Sequence, residues 1–377
     1  MDSSAAGKRL ISLLLPDLGM GGAERVFLTL ADSFAQRGYQ VHLVVTRAEG
    51  ALVHQVPQGV VLMDLAAGSE SGSLFKLVRY LRKYRPYALL STLDLMSSIA
   101  ILARWLAGVK TLILVREANT PSQMPRAGWK KVVERLLLRW LFPRANILVA
   151  VSHGVADDMR YYASIDSRRI TVIYNPALPD DLDVLKLEQV EHPWFAPGQP
   201  PIIMGMGSLV DRKNFPLLIR AFDQISSQCD ARLVIFGEGE QRSALQMSIY
   251  RLNLADRIIL PGQALAPFAY MARASVFVLS SNLEGLPNVL IQALASGCPV
   301  VSTDCPSGPR EILDDGRFGK LVPVGDADAM AKAILGVLAG DHPMVDTAWL
   351  DQFRIGRVVD QYLAVLGLSD QEGLPRK

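Results

Sequence analysis

Short apolar runs alternate along the chain with longer stretches in which apolar residues recur at helical spacing. The first run spans Leu10 to Leu15 and is followed by a glycine-rich loop. Val26, Leu30 and Phe34 then recur four residues apart, before a second apolar run from Val41 to Thr46. This order of strand, helix and strand is typical of the βαβ units of a parallel sheet. The pattern predicts an α/β fold.

The same order restarts in the second half of the chain. A predicted strand from Ile202 to Met206 leads through a glycine loop to a predicted helix from Pro216 to Ile225 and a strand from Leu233 to Phe236. A second βαβ beginning of this kind predicts a second domain. Both domains are expected to be Rossmann-like.

Prolines divide the chain between these two regions. Pro193, Pro197, Pro200 and Pro201 crowd a short stretch that is predicted to lack regular structure. We therefore predict a first domain at 1–190, a linker at 191–201 and a second domain at 202–345. A helix within 346–368 is expected to pack back on the first domain, and 369–377 is expected to be a tail.

Composition and charge narrow the function classes. The chain has 377 residues, of which 50% are hydrophobic, with 39 Lys and Arg against 37 Asp and Glu. A net charge of +2 disfavours a dedicated nucleic-acid binder. The charge is uneven, however, because residues 1–175 carry 22 basic and 13 acidic side chains, or +9, and the remainder carries −7.

The cysteines, histidines and apolar stretches exclude further classes. Three cysteines without a Cys-x-x-Cys pair predict no disulfide framework and a reducing compartment, and five scattered histidines predict no metal site. The run from Leu10 is too short for a signal peptide. Asp94, Arg104 and Lys110 interrupt the longest apolar stretch, which therefore cannot supply the roughly 20 apolar residues of a membrane span. We expect a soluble or peripheral, cytoplasmic protein.

Ligands of open parallel sheets bind at the carboxyl ends of the strands, so the loops there are the candidate sites. Gly21 and Gly22 precede the first predicted helix, and Gly237 and Gly239 follow a strand of the second domain. Glycines let backbone amides approach a ligand, and a helix N-terminus favours anionic groups. Either loop alone is explained equally well by a tight turn.

Two loops of the second domain carry more specific chemistry. Arg212 and Lys213 are adjacent cations after a strand, suited to neutralising a diphosphate leaving group, although a solvated basic turn fits this loop equally. Glu284 follows another strand, and Pro287 suits the first position of the next helix. Gln292 closes that segment. A carboxylate beside free helix amides suits a polyhydroxylated ligand.

The order of these loops resembles glycosyltransferase family 4, retaining enzymes that use nucleotide-sugar donors. The resemblance covers nearly the whole chain. It rests on GGAERV at Gly21 to Val26, the Arg212-Lys213-Asn214 loop, Gly237 to Gly239, EGLPNVLIQALASGCPVV from Glu284 to Val301, and a glycine-proline loop ending at Glu311.

The resemblance implies the GT-B fold, in which two Rossmann-like domains face each other across a cleft. Arg212 and Lys213 would hold the diphosphate, Glu284 would bind the transferred sugar, and Gln292 would bind the ribose. The catalytic candidates are Arg212, Lys213 and Glu284. The full donor set that it implies is Gly21, Gly22, Arg212, Lys213, Gly237, Glu284, Gly285, Leu286, Pro287, Asn288, Val289 and Gln292. The leaving phosphate would help deprotonate the acceptor, with no metal or cofactor and with UDP as the expected nucleotide.

This chain departs from the family pattern at two positions. Gln292 stands where the family has a second glutamate, and Ser208 stands where many members have arginine. An amide oxygen still accepts a hydrogen bond from a ribose hydroxyl, but without charge assistance. Two alternatives therefore stay open. The chain could be another GT-B enzyme, such as an epimerase or an inverting transferase, or it could be a non-catalytic subunit that binds a nucleotide-sugar.

The acceptor side belongs to the basic first domain. Glu117, Asn119 and His153 follow predicted strands and are the acceptor-side candidates. Basic residues are spaced four apart in the helical stretch from Lys131 to Arg139, with apolar residues between them. A core-packing helix and a membrane-surface helix both fit that pattern. A lipid-linked saccharide acceptor at the cytoplasmic leaflet would suit the second, in synthesis of O-antigen, exopolysaccharide or lipid-linked oligosaccharide.

Overall fold

The computed structural model describes residues 9–123 and 128–368, which form two compact units. The first unit runs to Pro176 and resumes at Ile355, and the second spans Ala177–Arg354. The predicted tail at 369–377 lies outside the described residues.

The first unit is built on a parallel sheet. Within the described residues the sheet has seven strands in the order β3-β2-β1-β4-β5-β6-β7. The strands are β1 (Leu10–Leu15), β2 (Gln40–Val45), β3 (Val60–Asp64), β4 (Ala88–Thr92), β5 (Leu112–Glu117), β6 (Ile147–Ala150) and β7 (Ile170–Val172). The helices are α1 (Gly22–Gln36), α2 (Ser73–Tyr84), α3 (Asp94–Ala107), α4 (Gly128–Leu141), α5 (His153–Tyr162) and, after the second unit, α14 (Ile355–Val365).

Helices cover both faces of this sheet. The β1-to-β2 crossover runs toward one edge, whereas the crossovers from β3 to β4, β4 to β5 and β5 to β6 run toward the other. Because such crossovers are right-handed, α1 lies on one face and α2, α3 and α4 lie on the opposite face. α3 packs between α2 and α4, and α14 packs on α1. Val26, Leu30 and Phe34 are buried in the core, as the helical spacing predicts.

The second unit repeats this plan. Its described residues form six parallel strands in the order β10-β9-β8-β11-β12-β13. The strands are β8 (Ile202–Met206), β9 (Arg232–Phe236), β10 (Ile258–Gly262), β11 (Val276–Leu279), β12 (Val300–Thr303) and β13 (Lys320–Val322). The helices are α6 (Leu182–Leu185), α7 (Phe215–Ser226), α8 (Arg242–Arg251), α9 (Pro267–Arg273), α10 (Asn288–Ala295), α11 (Pro309–Ile312), α12 (Ala327–Leu338) and α13 (Thr347–Leu350). Two Rossmann-like parallel sheets confirm the α/β prediction.

The unit boundaries differ from the predicted ones. The stretch expected to be an irregular linker contains a 3₁₀ helix at Pro193–Phe195, and the Phe195 ring packs 4.9 Å from the ring of Tyr270. Leu178 forms a parallel β-bridge with Arg354, the last residue of the second unit. These contacts tie residues 177–201 to the second unit, so the first unit ends at Pro176 rather than at 190.

The exposure of helix α4 contradicts the interpretation that its apolar face packs in the domain core. Its apolar side chains are largely exposed, with 59% of Val132, 61% of Leu136 and 52% of Trp140 accessible. The buried residues of the helix are Glu134, Leu138 and Leu141. The core-packing interpretation is therefore wrong for most of this apolar face. Arg126, a further basic residue that precedes this helix in the sequence, lies outside the described residues. No described helix is long and apolar enough to cross a membrane.

Candidate active site

The strongest cluster of predicted site residues lies at the carboxyl edge of the second sheet. Hydrogen bonds join the loops that follow β8, β11 and β12 there. The Ser280 hydroxyl donates to the carbonyl oxygen of Lys213 (2.8 Å), and the Asn282 amide donates to that of Arg212 (2.8 Å). The Thr303 hydroxyl donates to the carbonyl oxygen of Ser281 (2.6 Å). The loops therefore hold one another in place before any ligand binds.

A short turn aims the two cations. Asp211–Lys213 forms one 3₁₀ turn, and Asn214 ends it in the left-handed conformation with φ of 47°. The side chain of Asn214 then accepts a hydrogen bond from the Leu217 amide and caps α7. This reversal leaves Arg212 exposed and Lys213 buried. The solvated-turn interpretation is therefore wrong for Lys213.

Glu284 is the centre of the cluster. Its carboxylate is 5% exposed, and its Oε1 accepts from Lys213 Nζ (2.5 Å) and from the Ser281 hydroxyl (2.6 Å). Arg212 Nη1 lies 3.7 Å from the other oxygen. Burial alone would raise the pKa of Glu284, but the Lys213 and Arg212 charges and the two hydrogen bonds together hold that pKa below its usual range. The carboxylate is therefore charged and oriented.

The segment after Glu284 leads into α10. Gly285, Leu286 and Pro287 are buried, and Pro287 is the N-cap of the helix rather than its first residue, which corrects the predicted position by one. Gly308, in the loop after β12, has φ of 90°, and a side chain there would lie 2.6 Å from the Pro287 ring. The two loops therefore approach each other closely because residue 308 is glycine.

The start of α10 presents polar groups at the same edge. Asn288 and Val289 are half-buried in its first turn. Gln292 is half-buried one turn later, on the same face as Asn288. Gly237 lies after β9 with φ of 139°, where a side chain would overlap the carbonyl oxygen of Gly207. Backbone therefore packs on backbone beside the cation turn.

The structure brings together Arg212, Lys213 and Glu284, with the segment to Gln292 following them. Gly21 and Gly22 belong to the first unit, at the start of α1, so their donor role stays a prediction. Sequence reasoning missed the hydroxyls of Ser281 and Thr303. Two serines directly after an apolar strand were the available signal. Cys305 lies in the loop after β12, where burial, and then the Glu284 charge, raise the pKa of its thiol to about 12.

The acceptor-side candidates lie at the carboxyl edge of the first sheet. Glu117 is the last residue of β5, beside β6, and is 1% exposed. Asn119 is half-buried, and its amide donates to the Glu117 carboxyl (3.1 Å). His153 is exposed at the start of α5, with its ring 6.5 Å from that of Tyr174. Burial and then the Asp94 charge raise the pKa of Glu117 well above its usual range. The structure therefore adds Asp94 to this edge.

Metal-ligand geometry is a separate question. Among residues 9–123 and 128–368, no three His, Cys, Asp or Glu side chains converge as a ligand set. The chain contains two Asp-x-Asp sequences, beginning at Asp181 and at Asp326, and each lies at the start of a helix. Asp181 is the N-cap of α6. Asp326 is the N-cap of α12 and accepts a hydrogen bond from the Ala329 amide. The metal-independence of the chain stays a prediction.

Comparison with known proteins agrees with the two-unit division. Residues 20–180 match the family described as Glycosyltransferase Family 4, and residues 200–340 match Glycosyl transferases group 1. Among solved structures, Anabaena HepE in complex with UDP-glucose superposes with a TM-score of 0.76 at 18% identity, over 95% of this chain and 99% of HepE. That likeness supports the GT-B fold.

Curated relatives are similar over most of their length. The chain is 30% identical over 342 residues to N-acetylgalactosamine-N,N'-diacetylbacillosaminyl-diphospho-undecaprenol 4-alpha-N-acetylgalactosaminyltransferase of Campylobacter jejuni, covering 88% of this chain and 90% of the relative. It is 23% identical over 374 residues to GalNAc-alpha-(1->4)-GalNAc-alpha-(1->3)-diNAcBac-PP-undecaprenol alpha-1,4-N-acetyl-D-galactosaminyltransferase of the same species. This match covers 94% of this chain and 98% of the relative. With both halves matched and the loop chemistry in place, this chain belongs to the family 4 glycosyltransferases and is a transferase enzyme of the GT-B fold.

Proposed function

We propose that this chain moves a hexose or N-acetylhexosamine from a UDP-sugar, with retention, to a lipid-linked saccharide. The reaction would serve synthesis of a cell-surface polysaccharide, O-antigen or lipid-linked oligosaccharide. Both Campylobacter relatives have names that specify an undecaprenol-linked acceptor, and HepE was solved with UDP-glucose. These three proteins support the choice of donor and acceptor class.

The contact that carries the proposal is the buried pair of Lys213 and Glu284 beside exposed Arg212. As the bond from the anomeric carbon to the diphosphate oxygen breaks, negative charge grows on the diphosphate, and the two cations can neutralise it. The acceptor oxygen forms the new bond on the same face, and its proton passes to the leaving phosphate oxygen. Glu284 would accept hydrogen bonds from hydroxyls of the transferred sugar. We propose that no metal is required.

Donor binding tests this proposal directly. Thermal unfolding is followed with UDP-, GDP-, ADP- and TDP-sugars in the presence of chelator. A donor at 100 times its Kd stabilises the protein by about 2.7 kcal/mol. We expect a UDP-sugar to protect the wild type and Arg212→Ala to lose that protection, because the diphosphate loses one of its two cations. Arg212 is exposed, and the buried pair of Lys213 and Glu284 stays intact in this variant. Lys320→Ala, which removes a half-buried lysine paired with exposed Asp341, is the control. Protection that requires a metal would overturn metal-independence.

Product stereochemistry separates the remaining alternatives. Retention places the transferred sugar in the same anomeric configuration as in the donor, and proton NMR of the product distinguishes the two anomers. An inverted product would identify the inverting alternative, which needs a positioned general base. Donor binding without hydrolysis or transfer would favour the non-catalytic subunit, for which Gln292 is the supporting substitution.

We further propose that the outer face of α2, α3 and α4 rests on the inner surface of the cytoplasmic membrane. Phe75 on α2 and Trp105 on α3 are 77% and 76% exposed, on helices that lie on the same face of the sheet as α4. Arg135 and Arg139 are exposed among those apolar residues. A cavity of about 620 Å³ between α3 and α4 is lined by Trp105 and Trp140. Aromatic and cationic side chains in this mixture suit an anionic bilayer.

Vesicle binding tests the membrane proposal. Vesicles of phosphatidylcholine with phosphatidylglycerol are compared with phosphatidylcholine alone in a sedimentation assay. Each basic residue near an anionic surface contributes about 1 kcal/mol, so Arg135→Glu/Arg139→Glu should weaken binding by about 30-fold or more. Arg251→Glu, at an exposed arginine of α8, is the matched control and should bind within about twofold of wild type. Equal binding to both vesicle types would contradict the proposal.

A further inference from the structure

The cavity between the last turns of α3 and α4 has the size and lining of a ligand site. Its volume is about 620 Å³, and its apolar lining consists of Ile101, Leu102, Trp105, Val109, Trp140 and Leu141. Ile101 and Leu141 are buried, whereas Trp105 and Trp140 are 76% and 52% exposed. The cavity is therefore apolar inside and opens to the surface at the two tryptophans. Cavities of this volume with a mainly apolar and aromatic lining commonly hold small-molecule ligands.

Two arginines line the same cavity. Arg144 stacks on Trp140, with its guanidinium 4.0 Å from the ring centroid, and it donates a hydrogen bond to the carbonyl oxygen of Trp140. Arg104 is half-buried in the last turn of α3. No acidic side chain lines the cavity among the residues that the structure describes. Its chemistry therefore suits a ligand that joins an apolar chain to an anionic group such as a phosphate.

Helix α2 brings further cations to this end of α3. Arg82 Nη2 donates a hydrogen bond to the carbonyl oxygen of Leu106 (2.8 Å), in the last turn of α3. Arg79, Arg82 and Lys83 line a second recess of about 520 Å³ together with Phe75. Positive charge is therefore concentrated around the end of α3 at which the apolar cavity lies. Such a concentration attracts anionic lipid headgroups.

The cavity lies at the opposite end of α3 from the sheet edge where a sugar would react. α3 begins at Asp94, directly after the carboxyl end of β4. Trp105 lies about three turns further along the helix, roughly 16 Å away. In a lipid-linked saccharide the first sugar is attached to the phosphate, so a phosphate at Arg144 would hold that sugar beside the cavity. This separation favours a lipid of the surrounding bilayer over the acceptor as the occupant.

We propose that this cavity binds one hydrocarbon chain of an anionic phospholipid, whose phosphate pairs with Arg104 and Arg144. The inference rests on the membrane contact in the proposed function, and it adds a site for a single lipid molecule to that contact. Burial of the chain removes apolar surface from water. Arg144 is held in place by the Trp140 ring, so its planar guanidinium is oriented before the phosphate arrives.

Calorimetric titration with dihexanoylphosphatidylglycerol, kept below its critical micelle concentration, tests the inference without a bilayer. We expect saturable binding of one lipid per chain. Dihexanoylphosphatidylcholine should bind at least about fivefold more weakly, because it carries no net charge. Glycerophosphoglycerol, the headgroup without its chains, should not bind, because no apolar surface is buried.

Two variants locate the site. Val109→Trp adds a ring to the cavity without changing its charge and should weaken binding by about 10-fold or more. Arg144→Gln removes a charged hydrogen-bond donor to the phosphate and should weaken binding by about 10- to 100-fold. Arg144 is exposed, so the second variant is expected to fold even if the first does not. Arg160→Gln is the matched control, because Arg160 is an exposed arginine that stacks on Tyr161 outside this cavity. It should bind within about twofold of wild type.

Failure of the wild type to bind dihexanoylphosphatidylglycerol overturns the inference. Equal binding of glycerophosphoglycerol would identify a site for phosphate alone, and equal binding of dihexanoylphosphatidylcholine would remove the anionic requirement; either result contradicts the proposal. The same holds if a folded variant at Val109 or Arg144 binds like wild type. Tighter binding of geranyl diphosphate would assign the cavity to an isoprenoid chain instead of a phospholipid. Because the titration contains neither donor nor bilayer, none of these results alters the donor and vesicle tests of the proposed function.

Discussion

At the scale of single residues, the charge of Glu284 depends on its neighbours. The carboxylate is buried, and Lys213 and Arg212 hold its pKa below the ordinary glutamate value against the effect of burial. A lowered pKa in the folded state stabilises the protein above the unfolded-state value near 4.3. That contribution is lost as the pH falls through the lowered folded-state pKa. Stability at neutral pH therefore includes this ion pair.

Removing Lys213 alone should be costly. Lys213→Met leaves a buried carboxylate without its main partner and should destabilise the second unit by about 3–5 kcal/mol. The double variant Lys213→Met/Glu284→Gln should recover much of that loss, because no charge then remains buried. Differential scanning calorimetry near pH 7 measures both variants. If the single and double variants melt at the same temperature, the ion pair does not carry this stability.

The raised pKa of Glu117 has the opposite consequence. The folded state retains a proton that the unfolded chain releases above about pH 4.3, so wild-type stability falls as the pH rises between the two pKa values. Glu117→Gln has no such proton to lose. Its melting temperature relative to wild type should therefore increase from pH 4 to pH 7. Scanning calorimetry over this range checks the sign, and a constant difference would contradict the raised pKa.

At the scale of elements, α4 shows that an amphipathic pattern does not specify what its apolar face contacts. Leu138 is 1% exposed and packs in the interior, whereas Leu136, two residues earlier, is 61% exposed. Residues two apart on a helix point in different directions. The apolar set of α4 is therefore wider than the stripe that the domain core covers. The remainder is left for another surface.

Matched substitutions on α4 should separate the two faces. Leu138→Ala removes buried methyl groups and should destabilise the first unit by about 2–5 kcal/mol. Leu136→Ser should change stability by no more than about 0.5 kcal/mol, because the side chain is exposed. It should nevertheless weaken binding to anionic vesicles. Melting temperatures and vesicle sedimentation of the two variants measure these effects, and a large stability loss in Leu136→Ser would show that this face is covered by the protein.

At the scale of the whole molecule, the chain passes from the first unit to the second and returns. The return brings α14 onto α1, where Val358, Val359 and Tyr362 are buried in the core of the first unit. Tyr39 donates a hydrogen bond to the carbonyl oxygen of Leu368, and Tyr87 donates to that of Leu366. The last described residues are therefore part of the first unit's core.

Truncation after Arg354 should unfold the first unit selectively. Each large buried apolar side chain contributes about 1.5–3 kcal/mol, so the loss of α14 approaches the whole stability of a typical domain. The second unit should still melt cooperatively, since Ala177–Arg354 has its own core. Calorimetry and limited proteolysis locate the surviving unit. Asp360→Asn, at an exposed residue of α14 that pairs with Arg37, is the control and should retain both transitions.

Local patterning was enough for the α/β class, for the strands Leu10–Leu15 and Ile202–Met206, and for the loops that carry Arg212, Lys213 and Glu284. Buried parallel strands are continuous apolar runs, and their ligand loops follow directly, so both are visible without long-range information. The burial of Lys213 could not be predicted from local patterning. It depends on loops about 70 residues apart that fold onto each other.

The sequence by itself determined the elements, their order and the chemistry at the strand ends, because these depend on neighbours within a few residues. Only the tertiary structure decided that residues 177–201 join the second unit and that α4 leaves most of its apolar face uncovered, whereas the return of a C-terminal helix to the first domain was already expected from the sequence. These features depend on contacts between segments that are distant in the sequence. The free energy of such contacts cannot be predicted from the pattern of neighbouring residues.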